Sequence, residues 1–474
     1  MIDRRGFLAA GAAGTAALAV PVRAASGFPD RRPPIADRTL SVPAVEREIA
    51  RVSARIGDPE LRWLFANCYP NTLDTTVLSL ATGRAADAFV ITGDIPCLWL
   101  RDSAAQVAPY LHLVRHDGRL RDLFRGLIAR QARSILIDPY ANAFMQDPDA
   151  RTDLSWALRD ETEMRPGVAE RKWEVDSLCY AIRLASSYWR ETRDPVPFDA
   201  TWVESARAIL RTLRTEQRRD GASPYRFRRP AAQPTETLLW GTGLPTRPVG
   251  LIHSGFRPSD DACLYPLFVP GNLFAATALR ELAVVANEAR GDVALARDAA
   301  ALADEVTAAL AQHGTMRLPG GEEVWAYEVD GFGNAVFMDD ANIPSLSGLA
   351  WLGCVGADDA RWRRTEAAAW SSANPWFFRG RAAAGIGGPH VGPGQIWPMS
   401  LIVRALSARD DATIHTCLTM LKATHAGTGF MHEAFDQDRP ATYTRSWFAW
   451  ANGLFGQLIL HLAAHRPHLL DGPS

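Results

Sequence analysis

Leu295-Ala-Arg-Asp-Ala-Ala-Ala-Leu-Ala-Asp-Glu-Val-Thr-Ala-Ala-Leu310 decides the fold class. Its apolar residues Leu295, Ala299, Leu302, Val306 and Leu310 recur three or four apart, which sets one stripe along one side of a helix. A strand cannot bury that pattern, because its side chains alternate between faces. Working outward, Val45, Ile49, Val52 and Ile56 repeat the spacing. So do Leu120, Leu123, Phe124, Leu127 and Ile128, and again Val203, Ala206, Leu210 and Leu213. Further helices are predicted over Leu61–Cys68 (ended by Pro70), Leu178–Trp189, Leu401–Leu406, Ile414–Leu421 and Leu454–Leu462. Strand-like runs are short: Phe89–Ile91, Tyr225–Phe227 and Val324–Tyr327, each beside Gly or Pro.

The expected fold is therefore mainly α, with short β-hairpins in the loops. No tandem repeat of the solenoid kind is visible. A closed ring of helical hairpins buries the inner helices and leaves loops at one end to build a site. Ser26–Val42 is rich in Pro and Arg and reads as an extended N-terminal segment. Beyond it no linker divides the chain, so 43–474 is expected to be one catalytic domain.

Residues 1–25 are set aside as a twin-arginine signal peptide. Arg4-Arg5-Gly6-Phe7-Leu8 precedes an Ala-rich run, Leu8 to Val20, too short and too weakly apolar to span a bilayer. Val22-Arg-Ala24 offers small residues for cleavage, and Asp3 stands where Ser or Thr is usual. The expectation is passage through the twin-arginine export machinery to a periplasmic or secreted location, with no membrane attachment afterwards. A net charge of −2 gives neither nucleic acid nor an anionic membrane a basic surface to bind. The six cysteines form no Cys-x-x-Cys pair and are expected as buried free thiols, since such a protein folds before export. Fifteen tryptophans suggest buried or cleft-lining indoles.

Five loop-like stretches carry polar groups that a helical core does not need. In Thr92-Gly-Asp-Ile-Pro-Cys-Leu-Trp-Leu-Arg-Asp-Ser103, Asp94, Trp99, Arg101 and Asp102 fall within nine residues. Charged groups for hydroxyls and an indole for a C–H face suit a sugar. The competing reading is a helix N-terminus with an Asp cap and a local ion pair. In Lys172–Tyr180, Asp176 stands just before an apolar helix; as a cap its pKa would be lowered, making it a poor acid. Ser254-Gly-Phe-Arg-Pro-Ser-Asp-Asp-Ala262 sets Arg257 beside Asp260 and Asp261, able to clamp adjacent hydroxyls. A divalent ion there is disfavoured, because a third hard oxygen ligand is not apparent. Asp339, Asp340 and Asn342 read as hydroxyl binders or turn formers. Glu433 sits in a Gly-flanked loop ahead of Tyr443-Thr-Arg-Ser-Trp-Phe-Ala-Trp450, and His390, in a glycine-rich loop, is either structural or cleft-facing. There is no Gly-x-Ser-x-Gly elbow with a plausible triad and no His-Glu-x-x-His helix. Carboxyl groups in Trp-lined loops instead fit acid–base cleavage of a glycosidic bond. The residues alone identify neither the pair nor the sugar.

With these stretches in view, the chain resembles glycoside hydrolase family 125, the metal-independent exo-α-1,6-mannosidases. The resemblance rests on Phe89–Pro96, Trp99–Ser103, Glu174–Tyr180, Ser254–Ala262, Tyr327–Asn334, Met338–Asn342, Gly385–Gly387 and Arg445–Asn452. It implies an (α/α)6 barrel, inversion of configuration, no metal or other cofactor, and a mannose-containing oligosaccharide as substrate. By motif it implies Asp176 as general acid and Glu433 as general base. The pocket it implies is formed by Trp99, Arg101, Asp102, Arg257, Asp260, Asp261, Asn342 and Trp447, with Arg445 beside the base and His390 as a further contact. Cys97 and Trp397-Pro398 depart from the family's usual pattern. The alternatives are a glucoamylase- or trehalase-like α-glycosidase on the same barrel, or a non-catalytic periplasmic glycan-binding protein.

Overall fold

Aspartate marks the start of one set of helices and is missing from the start of another. The computed structural model describes residues 27–83, 86–230 and 233–472, so the signal-peptide expectation for 1–25 lies outside the described residues. Helices α1 (Pro43–Ser53), α2 (Pro59–Cys68), the short α3 (Asn71–Thr75), α4 (Leu100–Val107), α5 (Gly118–Ile137), α6 (Val175–Thr192) and α7 (Ala200–Glu216) come first. They are followed by α8 (Val269–Arg290), α9 (Val293–His313), α10 (Ala360–Ala369), α11 (Pro398–Ser407), α12 (Asp411–Thr424) and α13 (Ala449–His465). Asp58, Asp117, Asp199, Asp292, Asp359 and Asp410 cap α2, α5, α7, α9, α10 and α12, each accepting backbone N–H groups of the first turn. Such a cap contributes about 1 kcal/mol. The helices between them, α4, α6, α8, α11 and α13, have no side-chain cap among the described residues.

The uncapped helices are the inner ring. α4 packs on α6, α6 on α8, α11 on α13, and α13 returns to α4. The capped helices lie outside, with α5 against α7 and α7 against α9. Between α8 and α11 the sixth inner position is filled by consecutive turns over 346–353. This segment is buried and tied inward: Tyr180 Oη donates to Ile343 O and Arg183 Nη1 to Leu352 O. Trp362 Nε1 of α10 donates to Leu346 O from outside. The result is the expected (α/α)6 barrel, with one inner helix replaced by turns.

Short antiparallel strands join the hairpins. Leu98–Trp99, Ala143–Phe144 and Val168–Glu170 form one sheet, and Leu267–Phe268, Glu328–Val329 and Ala335–Val336 another. Two of these strands run straight into the first turns of α4 and α8, and Gln395–Ile396 leads closely into α11. The N-termini of these inner helices therefore lie at the strand-bearing end. Two strand readings need correction. Tyr225–Phe227 is not a strand; the neighbouring Arg228 makes only an isolated bridge to Glu161. The 324–327 run divides into Glu323–Trp325 and Glu328–Val329, which pair with different partners. Helix α8 shows no stripe in the sequence because nearly all its first turns are buried, which leaves no polar face. Residues 27–42 lie along α1–α3: Phe28 stacks on Trp63 at 5.0 Å, and Arg32 bridges Glu46 (2.6 Å) and Asp74 (2.7 Å). Five cysteines are buried and Cys354 is half-buried; all six are free thiols.

Candidate active site

At the strand-bearing end lies a cleft of about 500 Å3, the solvent at its open mouth included. Its first wall comes from the Thr92–Ser103 stretch. Gly93, at φ +58, and the Ile95 N–H to Thr92 O bond (3.0 Å) turn the chain tightly, and Thr92 Oγ1 accepts the Trp99 N–H at 3.3 Å. Trp99 thus takes the N-cap position of α4, and Arg101 and Asp102 fall in the first turn, all three on the cleft wall.

Arg101 is 3% exposed and serves four carboxyl groups. Its Nη1 lies 2.7 Å from Glu174 Oε2 and 3.0 Å from Asp176 Oδ2. Its Nε is 3.6 Å from Asp102 Oδ2, and its Nη2 3.8 Å from Asp260 Oδ1. One cation cannot neutralise four buried carboxylates, so this wall must retain protons. Burial pushes Asp102 up to about 6 despite the pull of Arg101. It raises Asp176 and lifts Glu174 well above the carboxylate range. Asp260 reaches the cleft in a left-handed conformation, φ +66. Asp260 N–H to Arg257 O (2.9 Å), Arg257 N–H to Asp261 O (2.7 Å) and Lys172 Nζ to Asp260 O (2.6 Å) hold it there. A non-glycine residue in that region costs roughly 1–3 kcal/mol unless its surroundings fix it.

A second part of the cleft lining carries Glu433 and Arg445. Arg445 Nε donates to Glu433 Oε1 at 3.2 Å, and Nη1 pairs with Asp94 on the first loop. His432 supports the pair from behind: its ring stacks on Tyr443 at 4.0 Å and its Nδ1 lies 3.0 Å from Arg445 O. Arg445 is thus divided between two carboxylates, where Arg101 is divided among four.

Of the residues expected at the site, Trp99, Arg101, Asp102, Asp260, Asn342, His390, Glu433 and Arg445 meet on the cleft wall. Four do not. Asp176 is fully buried off the wall, in the first turn of α6 rather than at its N-cap. Arg101, which does line the cleft, takes Asp176 Oδ2, while Oδ1 has no hydrogen-bond partner among the described residues. The expectation of a cleft-facing acid at 176 is therefore corrected. Arg257 is turned away onto Glu328 (Nε to Oε1, 2.6 Å) and lies over the Tyr327 ring, so it fixes the loop. Asp261 stands behind His390, with Oδ1 at 3.5 Å from Nδ1. Trp447 packs near Gly93, outside the lining.

The residues that sequence reasoning missed include Trp397, Phe448 and Trp450, which line the cleft. In the sequence Trp397 stands out only as a departure from the family's usual pattern. A signal was available: Trp99, Phe268, Trp397 and Phe448 occupy the N-cap positions of inner helices, where the outer helices have Asp.

An (α/α)6 barrel whose axial cleft has carboxyl groups on two walls among indoles and guanidiniums is the site of a glycoside hydrolase. Residues 58–460 match the sequence model of the metal-independent alpha-mannosidases, glycoside hydrolase family 125. The chain is 40% identical over 461 residues to the meiotically up-regulated gene 157 protein of Schizosaccharomyces pombe, covering 94% of this chain and 90% of that one. It superposes on a Streptococcus pneumoniae metal-independent alpha mannosidase, in a non-productive complex with alpha-1,6-mannobiose, with a TM-score of 0.86. Identity there is 38%, over 90% of this chain and 100% of that one. A bacterial glucoamylase complexed with acarbose shares the fold alone, at TM-score 0.52 and 12% identity over 91% of this chain and 58% of that one. The chain belongs to glycoside hydrolase family 125.

Proposed function

We propose that the protein is an exo-acting, inverting α-1,6-mannosidase that removes terminal mannose from oligosaccharides, with Asp260 as general acid and Glu433 as general base. The observation that carries this reading is the unequal supply of cations to two carboxyl groups that line one cleft. Glu433 has the Arg445 guanidinium beside it, a partner suited to the carboxylate that a base must present. Asp260 belongs to the carboxyl cluster around Arg101, where protons are retained, as an acid requires. The acid proton passes to the glycosidic oxygen as its bond to the anomeric carbon breaks. Water attacks that carbon from the far side and gives its proton to Glu433. Hydroxyls of the terminal sugar meet Arg101, Asp102 and Asn342, while its C–H surface meets the indoles. Exo action follows from the cleft's place at the end of a barrel whose interior is filled, so only a chain end can enter.

The α-1,6 preference is supported by family membership and by the mannobiose bound to the Streptococcus relative. Proton NMR of the sugar released from α-1,6-mannobiose tests the reading directly. First release of β-mannose is expected; first release of α-mannose, or hydrolysis of maltose in preference, refutes it. We also propose export by the twin-arginine route, supported by Arg4-Arg5 and by six free thiols that need no oxidising compartment. Replacing both arginines by lysine should retain the protein in the cytoplasm; undiminished export rules that route out.

A further inference from the structure

The mechanism above leaves Glu174 unused, although it is fully buried, charged in principle, and set beside the acid. We propose that Glu174 is a positioning residue for the acid: it and Asp260 form a carboxyl pair that shares one proton, keeping Asp260 protonated until a glycosidic oxygen arrives. This rests on the reading of Asp260 as the acid.

Asn142 shows the pairing most directly. Its Nδ2 lies 3.4 Å from Glu174 Oε1, 3.4 Å from Asp260 Oδ1 and 3.1 Å from Glu170 Oε2. An amide nitrogen has two hydrogens, so it cannot satisfy three carboxylate oxygens. Glu174 Oε2 accepts from Arg101 Nη1 (2.7 Å) and Ser177 Oγ (3.0 Å), which turns Oε1 toward Asn142 and the Asp260 side.

The charges facing the pair come from several elements. From α4 come Arg101 and Asp102, and from α6 Asp176. The 168–172 segment supplies Glu170 and Lys172, and the acid's own loop Arg257 and Asp261, with His390 beyond. Most are already engaged. Arg229 takes Glu170 at 2.9 Å, Lys172 is held by the Asp260 carbonyl, and Arg257 is paired with Glu328. Arg101 is shared among Asp102, Glu174, Asp176 and Asp260, and Lys172 adds one ammonium beside Asp260, so the carboxyl groups still outnumber the cations that face them. Two carboxyl groups this close under one shared cation titrate as a pair, retaining one proton to higher pH than either would alone. Burial and the neighbouring Asp260 and Asp176 also raise Glu174, as such a pair requires. Glu174 is 1% exposed, whereas Asp260 lines the cleft. The pair therefore meets substrate through Asp260.

The test is Glu174→Gln, measured across pH on α-1,6-mannobiose and on α-mannosyl fluoride, whose leaving group needs no proton, with Asp260→Asn in parallel. Removing the second carboxyl should move the basic limb of kcat/KM for mannobiose down by about one pH unit, roughly a tenfold loss on the alkaline side. Hydrolysis of the fluoride and the KM for mannobiose should be unchanged. A profile superimposable on that of the unaltered enzyme, or an equal loss on both substrates, overturns the proposal. The underlying reading fails separately, if Asp260→Asn loses the fluoride as severely as mannobiose. Should Glu174→Gln not fold, infrared spectroscopy of the unaltered protein decides. A protonated-carboxyl band persisting above neutral pH and lost in Asp260→Asn supports the pair, and its absence overturns it.

Discussion

The two walls of the cleft hold carboxyl groups in opposite conditions. On one, Arg101 is divided among Asp102, Glu174, Asp176 and Asp260. On the other, Glu433 has Arg445 at 3.2 Å, and Arg445 has Asp94 as a second partner. The same residue type thus meets one arginine among four carboxyl groups on one side and one arginine between two, the second of them half exposed, on the other. An inverting hydrolase needs that asymmetry, because its two carboxyl groups must begin each turnover in opposite protonation states. The chain achieves it by where it places arginines, and by how deeply it buries the side that has too few.

The largest effect should come from the Glu433 side. Glu433→Gln keeps the shape of the site but cannot accept a proton from water. Its kcat on mannobiose should fall about 10^4-fold, at the upper end for general-base removal. The loss on α-mannosyl fluoride should be just as great, since both reactions need the attacking water. Steady-state kinetics on the two substrates checks this; recovery on the fluoride would assign Glu433 to the acid role and invert the comparison.

Next comes the deficient wall. Asp260→Asn should lose about 10^3-fold on mannobiose and little on the fluoride. Asp176→Asn should lose less, about tenfold on mannobiose, because it acts on substrate only through Arg101. If Asp176→Asn instead shows the larger, leaving-group-dependent loss, the acid is at 176 and the cleft wall has been misjudged.

That ranking is where sequence and structure part. The stripes in α1, α5, α7 and α9 were legible because those helices bury one side and keep another polar. So was the gathering of polar loops at one end. The depth of each carboxyl was not. Asp176 and Asp260 both sit in motifs rich in aromatic and charged residues, and nothing local separates them. The difference arises from chain 75 residues away, where Arg101 reaches Asp176, and from the left-handed backbone at Asp260. The six aspartate caps were in the sequence and could have been used, since they mark outer helices, while four of the five inner helices have an aromatic N-cap and α6 has Glu174. Periodicity alone could not find α8, and no pattern announced the turns over 346–353.

A smaller effect concerns Asp102. Its pKa is raised to about 6, by burial first, so it is ionised above that value and protonated below it. As a carboxylate it accepts sugar hydroxyls through two oxygens; protonated, it accepts less well. KM for mannobiose should therefore rise as pH falls through about 6, by roughly threefold to tenfold for one charge-assisted bond. Asp102→Asn should have a higher KM that no longer changes across that range. A KM in the unaltered enzyme that is flat between pH 5 and 7 would remove Asp102 from substrate binding.

The smallest effect tests how much of the Glu433 side depends on its outer member. Asp94 is about half exposed and lies 351 residues from Arg445 in the chain, so the contact closes the first motif loop onto the last. Exposed ion pairs contribute little, about 0.2–1 kcal/mol. Asp94→Asn retains a hydrogen-bond acceptor for Arg445, and Arg445 retains Glu433. A twofold to fivefold fall in kcat/KM is expected, matching that energy range, and it should shrink as salt is raised if the contribution is mainly Coulombic. Stopped assays at low and high ionic strength measure both. A loss near that of Glu433→Gln would mean that the first loop sets the base outright, and that the two walls are one electrostatic unit.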